Sequence, residues 1–594
     1  MRIPRSLAAI VAALVLSAAP LMAQNHATAQ HLAANSATSE QNWWKNAVFY
    51  EIYPRSFQDS NGDGIGDLNG ITSRLDYLKS LGIDAIWLTP IYPSPQVDFG
   101  YDISDYEAID PQYGTMADFD HLIAEANKRH IRVLMDMVMN HTSDRHKWFV
   151  ESRSSRNNPY RDWYMWHDGK GETATSKGEP PNNWQSLFGH SAWQWDPRTR
   201  QYYYHRFYIQ QPDLNWNNPK VRQAFKDILA FWLKRGVGGF RFDAITALFE
   251  DPNLKDDGIV KDKNGKPIVN AFGDPQLDSK YTDNLPQVHN VMTEMRAYTD
   301  TFDSDKFPGA RVLIGETYLP SVAELRKQYG SSGNPEFQLP MDMQLGIINK
   351  LDVGKFRTLL ENVETKIGDN TPLVVFDNHD NPRMDVRYGD GIHNKAIERV
   401  IATVLFVSRG ASLFYYGDEI GMKTTPPTRK EDVKDPVGIT GWPKEKGRDG
   451  ERTPMQWSNV PNAGFSNPGV KTWLPIPPTY TKVNVAAEEH EPNSMLDWYK
   501  SLIRLKKSVP SLATGQETML ARSSNTVLSW ERKTPGEPAV VVAVNFTAAP
   551  QSVDLSAAGG KAETLLKSPE CADPATLQHV ELQPFGVYIG QVKP

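Results

Sequence analysis

Short apolar runs alternate with helical patterns over most of this chain. The apolar runs lie at residues 47–52, 85–88, 133–138, 239–243, 312–315, 373–376 and 412–415. Strands that alternate with helices indicate βαβ units around a parallel sheet. Roughly seven or eight such units between residues 43 and 505 predict a (β/α)8 barrel.

The predicted helices have recognisable ends. Thr115 is placed to cap one helix, and Asn218 followed by Pro219 begins another. An N-cap oxygen accepts a backbone N–H that the first helical turn leaves without a partner. We therefore predict helices that begin at these two points.

Three stretches depart from the alternation. About 75 residues rich in Trp, Tyr, Asn, Pro and Gly separate the third strand from the next helix, more than a βα loop needs. We predict an inserted subdomain at 141–211, within a catalytic barrel at 42–140 and 212–510. A smaller insertion is expected around 423–452. The β-rich runs 526–531, 540–546 and 587–589 predict a C-terminal β-sandwich at 511–594.

The N-terminus has the layout of a secretory signal peptide. Arg2 and Arg5 precede an apolar stretch at 7–16, and small residues lead to Ala23. That stretch is too short to span a bilayer, and no other stretch would span one. We predict a signal peptide at 1–23, a disordered leader at 24–41, and an exported protein that is periplasmic or secreted. The single cysteine, Cys571, cannot form an intrachain disulfide.

Composition narrows the classes of protein. The chain has 594 residues, of which 40% are hydrophobic and 23% charged, typical of a soluble protein with more than one domain. The net charge is −7, and no basic run is present, which argues against a nucleic-acid partner. The oligomeric state is left open.

Three carboxylates stand at the ends of predicted strands. They are Asp243, Glu316 and Asp380. A single such residue is usually a helix cap, but the active site of a barrel lies where its strands end. Like charges that converge on one pocket are unfavourable unless they serve a function. These residues therefore predict an active site.

Five motifs carry a family resemblance. The segments 136–141 (DMVMNH) and 239–243 (GFRFD), then Glu316 and 378–380 (NHD), resemble the four ordered signatures of the α-amylase-type glycoside hydrolases, family 13. The segment 211–215 (QPDLN) resembles a further signature of the oligosaccharide-acting branch, which includes α-glucosidases and oligo-1,6-glucosidases. The resemblance covers about residues 43–590. It implies a small oligosaccharide substrate.

The resemblance implies a role for each carboxylate. Asp243 matches the nucleophile, Glu316 the general acid/base and Asp380 the group that stabilises the transition state. Hydrolysis with retention requires Glu316 to start protonated and Asp243 to be ionised. Arg241 lies on the same face of its strand as Asp243, where its charge would stabilise the carboxylate.

Further residues match the substrate-binding positions of the family. His141 and His379 match histidines that bind sugar hydroxyl groups, and Tyr101 matches a ring that stacks on the sugar. Asp98 and Arg452 resemble a pair that closes the pocket around the non-reducing end, which implies exo action. Phe99 departs from the Asn usual after this aspartate.

A loop after the first strand has oxygen donors at alternate positions. They are supplied by Asp59, Asn61, Asp63, Asp67 and the carbonyl of Ile65. Such donors suit Ca²⁺, and the loop resembles the structural calcium loop of the family. The alternative is an Asx-rich turn without metal. No organic cofactor is expected.

The residue after the nucleophile bears on the linkage. In the resembling branch it tends to be Val where α-1,6 bonds are preferred and small or Thr where α-1,4 bonds are preferred; here it is Ala244. We predict a retaining, exo-acting α-glucosidase that acts through a covalent glucosyl-enzyme and releases terminal glucose from short oligosaccharides, with α-1,4 linkages as the first expectation and other α-linkages left open. The alternatives are a transglucosidase or glucosyl isomerase with the same site, an endo-amylase, and a non-enzymatic transporter-associated relative.

Overall fold

The structure, a computed structural model, describes residues 41–302 and 309–593. The predicted signal peptide and all but the last residue of the predicted leader lie outside the described residues. Among the described residues, no helix is long and apolar enough to cross a membrane.

Eight parallel strands close into a barrel, as the sequence predicts. Each strand pairs with its neighbours in chain order, and the last pairs with the first. Their bounds are Val48–Ile52, Ala85–Leu88, Arg132–Val138, Gly239–Asp243, Val312–Gly315, Leu339–Asp342, Leu373–Val375 and Ala411–Tyr415. The sequence pattern missed Leu339–Asp342, because Pro340 interrupts a short apolar run and proline is rare inside strands.

Helices surround the barrel. Those that follow barrel strands or precede the C-terminal region are Leu68–Ser73, Leu75–Leu81, Met116–Lys128, Pro219–Lys234, Gln287–Asp300, Val322–Lys327, Val353–Ile367, Asn394–Val407 and Met495–Ser508. Short helices lie at Pro54–Phe57, Lys147–Ser152, Met384–Arg387, Pro436–Gly441, Val485–Glu488 and Pro510–Thr514. The Thr115 side chain accepts from Asp118 N, and the Asn218 side chain accepts from Lys220 N. Both predicted caps are therefore confirmed.

The segment 141–211 carries a small antiparallel sheet. Its strands are Trp166–His167, Gln201–Tyr204 and Trp193–Asp196, with Gln201–Tyr204 in the middle. A bridge between His141 and Asp213 joins the two ends of the segment to each other. Because these ends leave and re-enter the barrel beside the third strand, the sheet lies at the rim where that strand ends.

The C-terminal region contains two antiparallel sheets. The larger has the strands Gln516–Met519, Val527–Lys533, Val540–Asn545, Val587–Val592 and Ala562–Lys567, and the smaller has Gln551–Val553 and Val580–Leu582. Val541 and Ala543 of the larger sheet share one buried cluster with Val553 and Val580 of the smaller. The sheets thus pack face to face, as the predicted sandwich requires.

Candidate active site

The three predicted catalytic carboxylates line one pocket at the mouth of the barrel. Asp243 is the last residue of its strand, and Glu316 directly follows Val312–Gly315. Asp380 follows the strand Leu373–Val375 after a short loop. Since all eight strands run in the same direction, their carboxyl ends meet on one side of the barrel. Residues far apart in sequence are therefore brought together.

Arg241 lies at the centre of this group. Its guanidinium, fully buried, contacts Asp136 at 3.1 Å and Asp243 at 2.5 Å through Nη1, and Glu316 at 2.5 Å through Nη2. Asp243 and Glu316 are thus held by the two terminal nitrogens of one side chain. Two carboxyl groups that contact one guanidinium lie close together, and retaining hydrolysis uses a close pair, about 5–5.5 Å apart, where inverting enzymes have a wider spacing.

Burial shifts the pKa values of the predicted catalytic pair, Asp243 and Glu316. Burial, together with the charges of Asp243 and Asp380, raises the pKa of Glu316 to about 7 although Arg241 opposes the shift. Burial also raises the pKa of Asp243, and the adjacent Arg241 opposes this. One guanidinium cannot neutralise all the acids around it, so one carboxyl group keeps its proton near neutral pH. Glu316 holding that proton, with Asp243 ionised against Arg241, is the state that retaining chemistry needs.

The protonation of this pair predicts the pH dependence of kcat/KM. Above about pH 7 Glu316 loses its proton, so the rate should fall with rising pH. Below the raised pKa of Asp243 the nucleophile is protonated, so the rate should fall on that side as well. α-Glucosyl fluoride has a leaving group that needs no acid, so its alkaline fall should be much weaker. If kcat/KM fell equally steeply at alkaline pH for maltose and for α-glucosyl fluoride, the assignment of Glu316 as the acid would be contradicted.

Asp380 has a different environment. Its Oδ1 accepts from Arg448 Nη1 and Arg452 Nη2, each at 2.8 Å, and His379 Nε2 lies 3.3 Å from its Oδ2. Burial alone would raise the pKa of Asp380, but His379 and the two guanidinium groups hold it well below the usual range. Asp380 therefore stays ionised, as a group that stabilises a developing positive charge should.

The structure pairs Asp98 with a different arginine from the one predicted. Asp98 Oδ1 contacts Arg448 Nη2 at 2.7 Å, while Arg452 binds Asp380 and donates from Nε to the carbonyl of His379 at 2.8 Å. Arg448 also binds Asp435 at 2.9 Å. Both arginines belong to one loop, and the sequence alone does not show which of them reaches across the pocket.

The other predicted substrate residues line the pocket or support its wall. The Tyr101 ring stacks on His379 with centroids 5.3 Å apart, and its hydroxyl donates to Asp136 at 3.0 Å. His141 lies 3.1 Å from the side-chain nitrogen of Gln211, and burial lowers its pKa to about 3. Both histidines are buried, and their predicted contacts with sugar hydroxyl groups remain predictions.

Sequence reasoning missed one buried partner of the site. Glu51 lies 2.5 Å from His379 Nδ1 and is fully buried in the first strand. The signal was present, since a charged residue inside the apolar run 47–52 is unfavourable without a partner. By fixing the ring of His379, Glu51 supports both Tyr101 and Asp380.

Apolar side chains line the part of the pocket beyond the catalytic pair. They come from the segment 141–211 and from later parts of the chain: Leu187, Phe188, Phe207, Phe272 and Val437. Gly189 lies so close to Phe272 that a Cβ atom there would be 2.6 Å from the ring. The inserted segment and the loop after the fourth strand are thus in direct contact at the pocket.

The predicted metal loop is held by its own hydrogen bonds. Asp59 accepts from the backbone of Asn61, Gly62 and Gly64 and from the Ser466 hydroxyl. Asp67 accepts from Ser60 and caps the next helix. Within residues 41–302 and 309–593, no three acidic, histidine or cysteine side chains form a metal-binding group. The remaining predicted ligands, the Asn61 amide, the Asp63 carboxylate and the Ile65 carbonyl, are still of the oxygen type that Ca²⁺ prefers.

Comparison with known proteins identifies the family. The model of the α-amylase catalytic domain matches residues 51–515. A Rhizobium meliloti protein named probable α-glucosidase is 41% identical over 80% of this chain and 85% of its own. The oligo-1,6-glucosidase of Parageobacillus thermoglucosidasius is 39% identical over 86% of this chain and 91% of its own.

A solved structure has the same fold over nearly the whole chain. The trehalulose synthase MutB from Pseudomonas mesoacidophila MX-45 superposes with a TM-score of 0.82 and 37% identity, covering 93% of this chain and 99% of its own. Together with the barrel and its carboxylates, these matches show that the chain belongs to the α-amylase family of glycoside hydrolases, family 13.

Proposed function

We propose that this protein is a retaining, exo-acting α-glucosidase that removes terminal α-1,4-linked glucose from short oligosaccharides. The strongest support is the contact of both Asp243 and Glu316 with one buried guanidinium, that of Arg241. This arrangement suits direct attack on the anomeric carbon with no intervening water.

The reaction follows from the positions of these groups. Glu316 donates its proton to the glycosidic oxygen while an Asp243 oxygen bonds to the anomeric carbon, and the bond to the leaving sugar breaks. Asp380, ionised beside two arginines, stabilises the positive charge on the ring. Glu316 then takes a proton from water, which attacks the anomeric carbon and releases Asp243. Two inversions give net retention.

Exo action is supported by the contacts of Arg448. It joins Asp98, Asp380 and Asp435, which come from three separate loops, and we infer that these contacts form a polar wall that closes one end of the pocket. A chain that extends in both directions from the cleaved bond would have to cross this wall.

The experiment is an assay of the purified protein against maltose, isomaltose, sucrose, trehalose and starch, with NMR of the first product. We expect α-glucose from maltose and little effect on starch viscosity. Initial release of β-glucose would contradict retention, and rapid loss of viscosity with little free glucose would indicate endo action.

Transfer of glucose to a sugar is the second candidate function. The solved relative MutB is a trehalulose synthase, and the apolar lining formed by Phe188, Phe207 and Phe272 provides aromatic faces for an acceptor sugar. Product analysis at high maltose and high sucrose distinguishes the two functions. Oligosaccharides or sucrose isomers as main products would replace hydrolysis as the proposed function.

The linkage preference predicts the effect of Ala244→Val. Ala244 has φ 47° and ψ 38°, and its N–H donates to Glu316 Oε2 at 2.9 Å. A β-branched side chain is strained in this left-handed conformation and adds bulk beside the cleaved bond. We expect the kcat/KM ratio of maltose to isomaltose to fall by roughly tenfold. Ala247→Val, in the same pocket wall, is the control. If the kcat/KM ratio of maltose to isomaltose were the same in both variants, the role of Ala244 would be contradicted.

We also propose that the loop 59–67 binds Ca²⁺ and stabilises the fold, with Asp59, Asn61, Asp63, Ile65 and Asp67 as ligands. At 100 times its Kd, a ligand that binds only the folded state stabilises it by about 2.7 kcal/mol. Millimolar CaCl₂ should therefore raise Tm by several degrees relative to EGTA, and Asp63→Ala should abolish this shift. Asp262→Ala, at another exposed Asx-type turn, should keep it. An unchanged wild-type Tm would favour the metal-free turn.

We further propose that residues 1–23 direct export and that the mature protein is periplasmic or secreted. The support is the order of Arg2 and Arg5, an apolar stretch and small residues before Ala23. Intact-mass measurement on protein from the periplasm or medium should show a chain that begins after Ala23. Full-length protein confined to the cytoplasm would contradict this.

A further inference from the structure

Glu451 is a pocket residue whose hydrogen-bonding capacity is not satisfied by its neighbours. Glu451 lines the active-site pocket, and only 3% of its surface is exposed. Among the described residues, its carboxyl group has no hydrogen bond to another residue; its backbone carbonyl accepts from Arg383 at 3.1 Å. The carboxyl group accepts from the N–H of Glu451 itself, and this single bond leaves most of its hydrogen-bonding capacity for a ligand in the pocket.

The neighbouring polar residues differ in this respect. Arg448 binds three carboxylates, and Arg452 binds Asp380 and the carbonyl of His379. Both guanidinium groups are therefore engaged before substrate arrives. Of the charged side chains that the loop 448–452 brings to the pocket, Glu451 is the one with free hydrogen-bonding capacity.

We propose that Glu451 determines specificity by binding a hydroxyl group of the terminal glucosyl unit; this inference rests on the proposed glucosidase function. The terminal unit is assigned because the residues on both sides of Glu451, Arg448 and Arg452, bind Asp380, which faces that unit. A protonated carboxyl group offers one donor and one acceptor, which matches a sugar hydroxyl.

The protonation state agrees with this role. Burial raises the pKa of Glu451 to about 8, although Arg452 opposes the shift. At neutral pH the side chain is then mostly neutral, so it can donate to a hydroxyl group and accept from it without placing a further negative charge beside Asp243 and Asp380.

Three variants test the proposal by steady-state kinetics on maltose and p-nitrophenyl α-glucoside. Glu451→Ala should lower kcat/KM for both substrates by roughly 10–100-fold, because it removes a buried hydrogen bond. Glu451→Gln keeps one donor and one acceptor and should stay within a few fold of the wild type. Glu398→Ala is the matched control, since Glu398 is 7% exposed, has a pKa raised to about 8 by burial, and lies outside the pocket.

Deoxy substrates identify the hydroxyl group. Across the monodeoxy p-nitrophenyl α-glucosides, the wild type and Glu451→Ala should differ for every substrate except the one that lacks the contacted hydroxyl. Three results for Glu451→Ala would overturn the proposal. They are a loss of activity on maltose but not on p-nitrophenyl α-glucoside, an equal loss on all deoxy substrates, and unchanged kinetics with a lower Tm. A wild type without activity on either parent glucoside would instead refute the proposed function.

Discussion

Replacing Asp243 with Ala is expected to lower kcat on maltose by about 10⁴–10⁶-fold, because no covalent glucosyl intermediate forms without the nucleophile. Added azide should restore part of the turnover. It would attack from the face that Asp243 occupied, so the product should be β-glucosyl azide, identified by NMR. The fold should survive, since Asp243 is at a strand end and its removal relieves a crowded group of acids around Arg241.

Glu316→Ala is the matched variant, because it removes the other carboxylate that Arg241 holds. Here the intermediate still forms from substrates with good leaving groups, and azide should attack it to give α-glucosyl azide. The loss with maltose should be about 10²–10⁴-fold. The same azide anomer from both variants, or near-normal turnover in either, would overturn the assignment of roles.

Removal of Arg448 should have the largest effect outside the pair Asp243 and Glu316. Arg448→Ala leaves Asp98, Asp380 and Asp435 without a shared cation, and breaking buried ion pairs is unfavourable by about 3–5 kcal/mol. We expect kcat/KM for maltose to fall by roughly 10²–10³-fold. The opened wall should also weaken exo selectivity, so the activity ratio of maltoheptaose to maltose should rise.

The control for this variant is Arg409→Ala. Arg409 forms an ion pair with Glu364 at 2.7 Å, away from the pocket. It should reduce Tm without changing the substrate ratio. Two results would contradict the proposed wall. One is a change in Tm alone for Arg448→Ala, and the other is a loss of kcat/KM for maltose no greater than that of Arg409→Ala.

The barrel could be predicted because its signals are local. Thr115 and Asn218 cap helices where the sequence places them, and the strand runs are continuous and mostly apolar. Leu339–Asp342 was missed for the same local reason, since Pro340 does not favour a strand. There the closed sheet, a long-range property, outweighs the preference of one residue.

The site could be predicted only in part. Asp243, Glu316 and Asp380 stand at strand ends, and the barrel geometry brings such ends together. Which arginine meets Asp98 depends on the path of the loop 448–452, which no periodicity describes. Glu51 and the Gly189–Phe272 contact were likewise hidden, because each joins segments distant in sequence.

The wall that joins Asp98, Asp380 and Asp435 through Arg448 also has a consequence for the order of events in one turnover. A pocket that is closed at its inner end has a single opening to solvent. The leaving sugar must therefore depart through this opening before water can enter. The freed glucose then leaves last, by the route through which the substrate arrived. Glucose should accordingly compete with incoming substrate, and the enzyme should slow as its own product accumulates.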